Sequence, residues 1–222
     1  NNHKINLNQT QSPLVSVVLS AYNGATYLAA QLDSIFSQTY TNIEVIAVDD
    51  GSTDATMQIL HQYASIHPNM QVHQNEQNLG YIKNFEKGMG LANGYFISPC
   101  DQDDVWDTDK IRLMVEAIGD FPMIFCDSEL VDENLVSMNK KISTLKNLQT
   151  FNNCLYFVTD NCVAGHATLF TKKLFEATTP FNTTIAHDWW LPYVSTFFGG
   201  IQYLDKSLVL YRNHTGNVIG AV

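Results

Sequence analysis

The chain has 222 residues, 45% of them hydrophobic and 15% charged, and a formal net charge of −10 from 12 Lys+Arg against 22 Asp+Glu. That balance fits one globular domain with a substantial core, and it excludes the basic footprint on which general nucleic-acid binding depends. The four cysteines show no C-x-x-C spacing, which argues against a zinc or redox motif, and with no long apolar span the expected setting is reduced and cytoplasmic.

The chain in order reads as a polar tail over Asn1–Ser12 and a single domain over 13–222. Val15–Ser20 is a β-branched run, nearly all apolar as in a strand buried on both faces. It ends in the turn signal Ala21-Tyr22-Asn23-Gly24. A helix is expected over Thr26–Gln38, with Leu28, Leu32, Ile35 and Phe36 on one face. Ile43–Val48 predicts a second buried strand, running into Asp49-Asp50-Gly51-Ser52-Thr53-Asp54 and a helix to about His67. A third strand over Met70–Gln74 leads to Asn75–Gly80, then a helix over Tyr81–Ala92. Gly94–Ser98 predicts a fourth strand, stopping near Pro99. Alternation of strand and helix implies βαβ units and a mostly parallel central sheet flanked by helices. Right-handed crossovers then place the loops at 21–24, 49–54, 75–80 and 100–106 along one edge. A helix over Thr108–Ile118 and a short strand over Met123–Cys126 follow. Residues 128–151, with Lys140, Lys141 and Lys146, read as a mobile loop over the site. Gly165–Thr171 is strand-like, His187–Phe198 helical, and Ile201–Leu204 and Leu208–Arg212 are two short strands.

Chemistry concentrates in Cys100-Asp101-Gln102-Asp103-Asp104-Val105-Trp106. Three carboxylates within four residues repel one another unless something positive joins them. A hard divalent cation such as Mg²⁺ or Mn²⁺ does this and bridges to substrate phosphates. An acidic turn capping the next helix has the same composition. Asp49–Asp54 likewise reads as a polar ligand contact or as a helix cap, with Gly51 for the turn and Ser52 or Thr53 for the cap. Only two arginines occur, Arg112 and Arg212, so an anionic ligand must rely on few cations, on backbone amides or on a metal.

The combination is more specific than its parts. Ser16-Val17-Val18, Ala21-Tyr22-Asn23, Asp49–Asp54, Asn78-Leu79-Gly80 and Asp101–Trp106 resemble family 2 glycosyltransferases in order and spacing. His187-Asp188-Trp189-Trp190 and Tyr211-Arg212-Asn213-His214 look like that family's acceptor-side and closing motifs. The resemblance is strongest to the bacterial rhamnosyltransferase-like branch. It implies a GT-A fold, with a donor-nucleotide half over 13–110 and an acceptor half over 111–222. It also implies a nucleoside-diphosphate sugar donor (a UDP- or dTDP-sugar, dTDP-rhamnose included), a glycan or lipid-linked glycan acceptor, and Mn²⁺ or Mg²⁺. By position, Asp50 faces the nucleobase, with Ala21, Tyr22 and Asn23 beside it and Asp49 in support. Asn78 and Gln102 belong to the same donor side, Asp101 faces the ribose, Asp103 and His214 ligate the metal, and Asp188 is the catalytic base. Peripheral membrane association at the inner face is expected only through parts outside this chain.

Other residues have two readings each. Lys83 reaches the nucleotide or is an ordinary helix-surface lysine. His166 lines the acceptor side or is a structural histidine; Trp189 and Trp190 stack on an acceptor sugar or belong to the core. Two competing functions are a sugar nucleotidyltransferase and a non-catalytic carbohydrate-binding module. The first usually carries a Gly-rich basic phosphate loop, whereas residues 20–35 contain one Gly and no Lys or Arg.

Overall fold

The computed structural model describes residues 12–214. The polar tail expected at the start lies, but for Ser12, outside the described residues. The first half follows the expected rhythm: β1 (Val15–Ala21), α1 (Leu28–Phe36), β2 (Ile43–Asp49), α2 (Thr56–Ile66), β3 (Met70–Gln74), α3 (Tyr81–Gly90) and β4 (Phe96–Cys100). β1 pairs in parallel with β2 and β4, and β2 with β3. Alternate residues of a strand face opposite sides. Val15, Val17 and Leu19 therefore join the core under α1, α2 and the later helix at Lys110–Ala117, while Val18 joins the core under α3, with Phe85 and Met89. The result is a sheet with a helical layer on each face.

The second half departs from the expected pattern. β5 (Val105–Trp106), α4 (Lys110–Ala117), β6 (Met123–Val131), β7 (Ser137–Lys141), α5 (Ile142–Leu145), β8 (Thr168–Thr171), α6 (Lys172–Thr178), α7 (His187–Ser195) and β9 (Gln202–Arg212) follow in order. The nine strands form one sheet in the order β3-β2-β1-β4-β8-β6-β9-β5, with β7 on β6. β8 is antiparallel to both β4 and β6, and β5 and β7 are antiparallel to their partners, so the sheet is mixed beyond β4.

Three expectations are corrected. β4 runs through Pro99 to Cys100 instead of stopping before the proline. β8 pairs only with Phe96 and Ile97, so one side of β4 at Pro99 lacks a ladder partner, where a residue without an N–H is tolerated. The stretch after Asp127 is not a loop: β6 continues to Val131 and turns into β7. Asp127 anchors the return, accepting from Ser128 N at 2.8 Å, Ser143 N at 3.0 Å and Ser143 Oγ at 2.6 Å. The two short strands at the end are one, β9, which shifts register against β6 around Asp127.

Candidate active site

The carboxyl ends of the parallel strands meet at one edge. Ala21, Asp49 and Gln74 lie in register across β1, β2 and β3, and Cys100 ends β4 beside Leu19. In open α/β sheets this edge is where ligands bind. The first two loops are stitched together: Asn23 N donates to Ser52 Oγ at 2.8 Å, and Thr53 N donates to Asn23 Oδ1 at 2.8 Å. Gln102 joins the acidic loop to them. Its side-chain amide accepts from Tyr22 N at 2.8 Å and donates to Tyr22 O at 3.0 Å. A Cβ on Gly24 would lie 2.0 Å from Gln102 Oε1, so glycine there leaves room for this clamp.

Asp49 and Asp50 are both buried, at 0% and 3% exposure, but they differ in what they hold. Asp50 Oδ1 accepts from Asn75 Nδ2 at 2.7 Å and Leu79 N at 2.8 Å, and its Oδ2 accepts from Gly80 N at 2.9 Å. It braces the 75–80 loop. Asn78 Oδ1 supports the same turn by accepting from Gly80 N at 3.0 Å. Asp49 Oδ2 accepts from Ser52 N at 3.0 Å, whereas its Oδ1 is buried with no hydrogen-bond partner among the described residues. A polar cleft of about 540 Å³, lined by Gln74, Asn75, Glu76, Gln77, Leu79 and Lys87, opens beside this loop. Lys83 is paired with Glu86 on its own helix.

The acidic loop holds two carboxylate–histidine groupings. In the outer one, His214 Nε2 lies 2.9 Å from Asp103 Oδ2, an approach across 111 residues. The inner one comprises Asp101, Asp104 and His166, whose candidate ligand atoms lie within 4.8 Å of one another. His166 Nδ1 is 3.6 Å from Asp101 Oδ2 and 3.4 Å from Asp104 Oδ2. Ser128 Oγ, 3.0 Å from His166 Nε2, and the Tyr211 ring at 4.7 Å fix the imidazole. Thus His166 sits against the acids.

Burial pushes Asp104 up to about 7, against the pull of His166, and the Asp103 and Asp101 charges push the same way. Burial also raises Asp103, with Asp101 adding and His214 opposing. Beneath them Lys110 is fully buried, its ammonium 3.2 Å from the Trp106 ring centroid, and desolvation brings it down to about 8. Asp104 Oδ2 is buried without a hydrogen-bond partner among the described residues. Each grouping offers carboxylate oxygens beside an imidazole, and with the orphaned Asp104 oxygen this donor chemistry fits a divalent cation. Mixed oxygen and nitrogen ligands suit Mn²⁺.

Asp188 starts α7, where an acid faces the positive helix end. Burial raises its pKa, the Asp101 charge adds to this, and His187 opposes it. A Cβ on Gly165 would lie 3.4 Å from Asp188 Cβ, so Asp188 stands beside the segment that carries His166. Trp189 Nε1 donates to Phe157 O at 2.7 Å and Trp190 Nε1 to Thr178 O at 3.0 Å, and both half-buried rings pack on the second core. Their indole N–H groups are therefore spent on the fold.

Several participants had no motif to mark them. Asn84 is buried in α3, where it donates to Ser20 Oγ at 2.7 Å and Val48 O at 2.9 Å and ties that helix to the site edge. Tyr27, Lys110 and Ser128 approach the cluster only through the fold. Arg212 carried a signal in the scarcity of arginine: it is buried, its N donates to Asp104 Oδ1 at 3.0 Å, and its Nε donates to Asp103 O at 2.7 Å.

Comparison with known proteins places the chain in a family. The chain is 29% identical over 221 residues to the putative glycosyltransferase EpsH of Bacillus subtilis (strain 168), covering 94% of the chain and 63% of that relative. It is 28% identical over 181 residues to chondroitin synthase of Escherichia coli, covering 79% of the chain and 25% of that protein. The chain thus spans less than two thirds of these relatives' own length. Among solved structures, S. aureus TarS 1–349 in complex with UDP-GlcNAc superposes with a TM-score of 0.71 at 21% identity, over 91% of this chain and 59% of that one. The mannosyltransferase PcManGT of Pyrobaculum calidifontis, in complex with GDP-Man and Mn²⁺, gives 0.73 at 19% identity, over 94% of this chain and 59% of that one. The shared architecture is GT-A. Residues 16–179, from the start of the sheet to the end of α6, match the family described as Glycosyl transferase family 2, and the chain belongs to that family.

Proposed function

We propose that the chain is the transferase domain of an inverting, metal-dependent enzyme. It moves a sugar from a nucleoside-diphosphate sugar to a hydroxyl of a glycan or lipid-linked glycan during surface polysaccharide synthesis. The observation that carries the reading is the gathering at one sheet edge of the Asp49–Asp50 loop and the carboxylate–histidine groupings, with the half-buried Asp188 beside Gly165, the neighbour of His166. The named complexes of the two solved structures, one with UDP-GlcNAc and one with GDP-Man and Mn²⁺, support a nucleotide-sugar donor and a cation.

Residues 13–110 take the donor in this reading. The base N–H that the resemblance gives to Asp50 goes instead to Asp49 Oδ1, which has no hydrogen-bond partner among the described residues, because Asp50 is engaged in holding the 75–80 loop. Ala21, Tyr22 and Asn23 frame the base, and Gln102 sets their position. Asp101 faces the ribose, and Asp103 with His214 holds Mn²⁺ or Mg²⁺. When bound, the cation neutralises the charge that develops on the leaving diphosphate. Asp188 takes the proton of the acceptor hydroxyl as it attacks the anomeric carbon; burial makes it a stronger base than an exposed aspartate. Direct attack with one base inverts the anomeric centre. Residues 111–222 present the acceptor, with His166, Trp189 and Trp190 as its walls. The donor in this reading is a UDP- or dTDP-sugar, dTDP-rhamnose included.

Asp103→Ala tests the assignment. It should abolish Mn²⁺-dependent nucleotide binding in calorimetry and leave the fold intact, because it removes one of several mutually repelling acids. Unchanged nucleotide affinity with Mn²⁺ in the variant would reject the ligand role.

A further inference from the structure

The residues that bring His214 to Asp103 include one outside every motif, Tyr27. It sits at the amino end of α1, in the same connection that supplies Tyr22 and Asn23. Its half-buried ring lies 4.8 Å from the His214 ring, tilted by 39°, and 4.5 Å from the Arg212 guanidinium carbon. Arg212 in turn is tied to the acidic loop. Its Nε donates to Asp103 O at 2.7 Å, its N donates to Asp104 Oδ1 at 3.0 Å, and its Nη1 donates to the carbonyl of Glu133 on the β6–β7 turn. Asn213 N continues the strand by donating to Val131 O at 2.8 Å. The Tyr27 ring thus joins the first βα connection to the end of β9, and Arg212 and His214 link both to the acidic loop.

We infer that Tyr27 is a positioning residue that holds the Arg212–His214 segment over Asp103. The physical reason is the ring face. A guanidinium stripped of water is attracted to an aromatic face more strongly than an exposed one, and Arg212 is 3% exposed. A hydrogen bond alone does not fix the plane of an imidazole; the Tyr27 ring against its side restricts the tilt from which Nε2 meets Asp103 Oδ2. The connection that frames the nucleobase is thereby coupled to the outer carboxylate–histidine pair. The inference rests on the reading of Asp103 and His214 as the cation's ligands, but its structural half can be read without any cation.

The test compares Tyr27→Phe, which keeps the ring, with Tyr27→Leu, which keeps apolar bulk and loses the face. Groups that orient a metal's ligands typically change its affinity by about 10–100-fold when removed. Tyr27→Leu should therefore raise the Mn²⁺ concentration for half-maximal UDP binding by about 10-fold, and Tyr27→Phe should stay near wild type. In the metal-free protein, hydrogen–deuterium exchange at the Asn213 amide should speed up in the Leu variant and not in the Phe variant. In a His214→Ala background, Tyr27→Leu should add little to the Mn²⁺ effect. Unchanged Asn213 exchange in a folded Tyr27→Leu protein would overturn the positioning role. Faster exchange with no Mn²⁺ dependence in wild type would keep the positioning role and reject the ligand reading instead.

Discussion

Asp188 carries the most direct residue-scale prediction. As the proposed base, Asp188 must be ionised to accept a proton, and burial and Asp101 both raise its pKa. A raised pKa moves the acid limb of the rate–pH profile upward, so transfer should fall at a higher pH than an exposed aspartate near pKa 3.9 would give. Asp188→Asn keeps the shape but cannot take the proton; the transfer rate should drop about 10²–10⁴-fold, the limb should vanish and nucleotide affinity should hold. Near-normal transfer would assign the proton to another group. Gly24→Ala tests the Gln102 clamp. The new Cβ displaces Gln102 Oε1 and both bonds to Tyr22 are lost, a cost of about 1–2 kcal/mol in denaturant unfolding. In a Gln102→Ala background the same change should cost much less. At this scale the acids were legible because Asp runs after apolar strands are unusual. Which oxygen is satisfied was not, because Asp50 is spent on Leu79 and Gly80 while Asp49 is left over. That outcome depends on loop geometry. His166 shows the same limit: Ser128 and Tyr211, which set its orientation, are distant in sequence.

Among elements, the parallel strands β1 to β3 and their helices were readable because β1 and β2 are short apolar runs and β3 alternates apolar and polar residues, each leading into Asn or Asp. β6 and β7 were not, because β7 is exposed throughout and carries no alternation. Its pairing comes from the Asp127–Ser143 anchor and from cross-strand neighbours on β6. β9 hid for another reason: Asp205-Lys206-Ser207 interrupts its apolar run, yet the backbone continues through it along β6. The entry to β9 is set by Gly200, with φ near 100°. A Cβ there would lie 2.4 Å from Phe151 O, which accepts from Ile201 N at 2.8 Å. Gly200→Ala meets both a disfavoured backbone region and a carbonyl that cannot move without breaking this bridge. The expected loss is about 2 kcal/mol or more of stability, seen as a lower denaturant midpoint with an unchanged slope. Because β9 carries Arg212 and leads to His214, Mn²⁺-supported nucleotide binding should weaken as well. A variant as stable as wild type would show that the entry to β9 relaxes freely.

For the whole molecule, the α/β class and the single ligand edge were legible from the rhythm of strands and helices, and the mixed character of the sheet beyond β4 was not. Antiparallel insertion of β8 between β4 and β6 depends on long-range pairing that no local pattern reports. That insertion places Gly165 and His166, just before β8, against the acidic loop. Among the described residues no helix is long and apolar enough to cross a membrane. The central claim is that this edge cleaves a nucleotide sugar with the help of a divalent cation. Nucleotide release should therefore be followed across a panel of UDP-, dTDP- and GDP-sugars, with Mn²⁺ and with a chelator, for wild type and Asp103→Ala. The account predicts release from at least one donor that needs Mn²⁺ in wild type and is lost in Asp103→Ala. Equal release in chelator, or an Asp103→Ala protein as active as wild type, would contradict it.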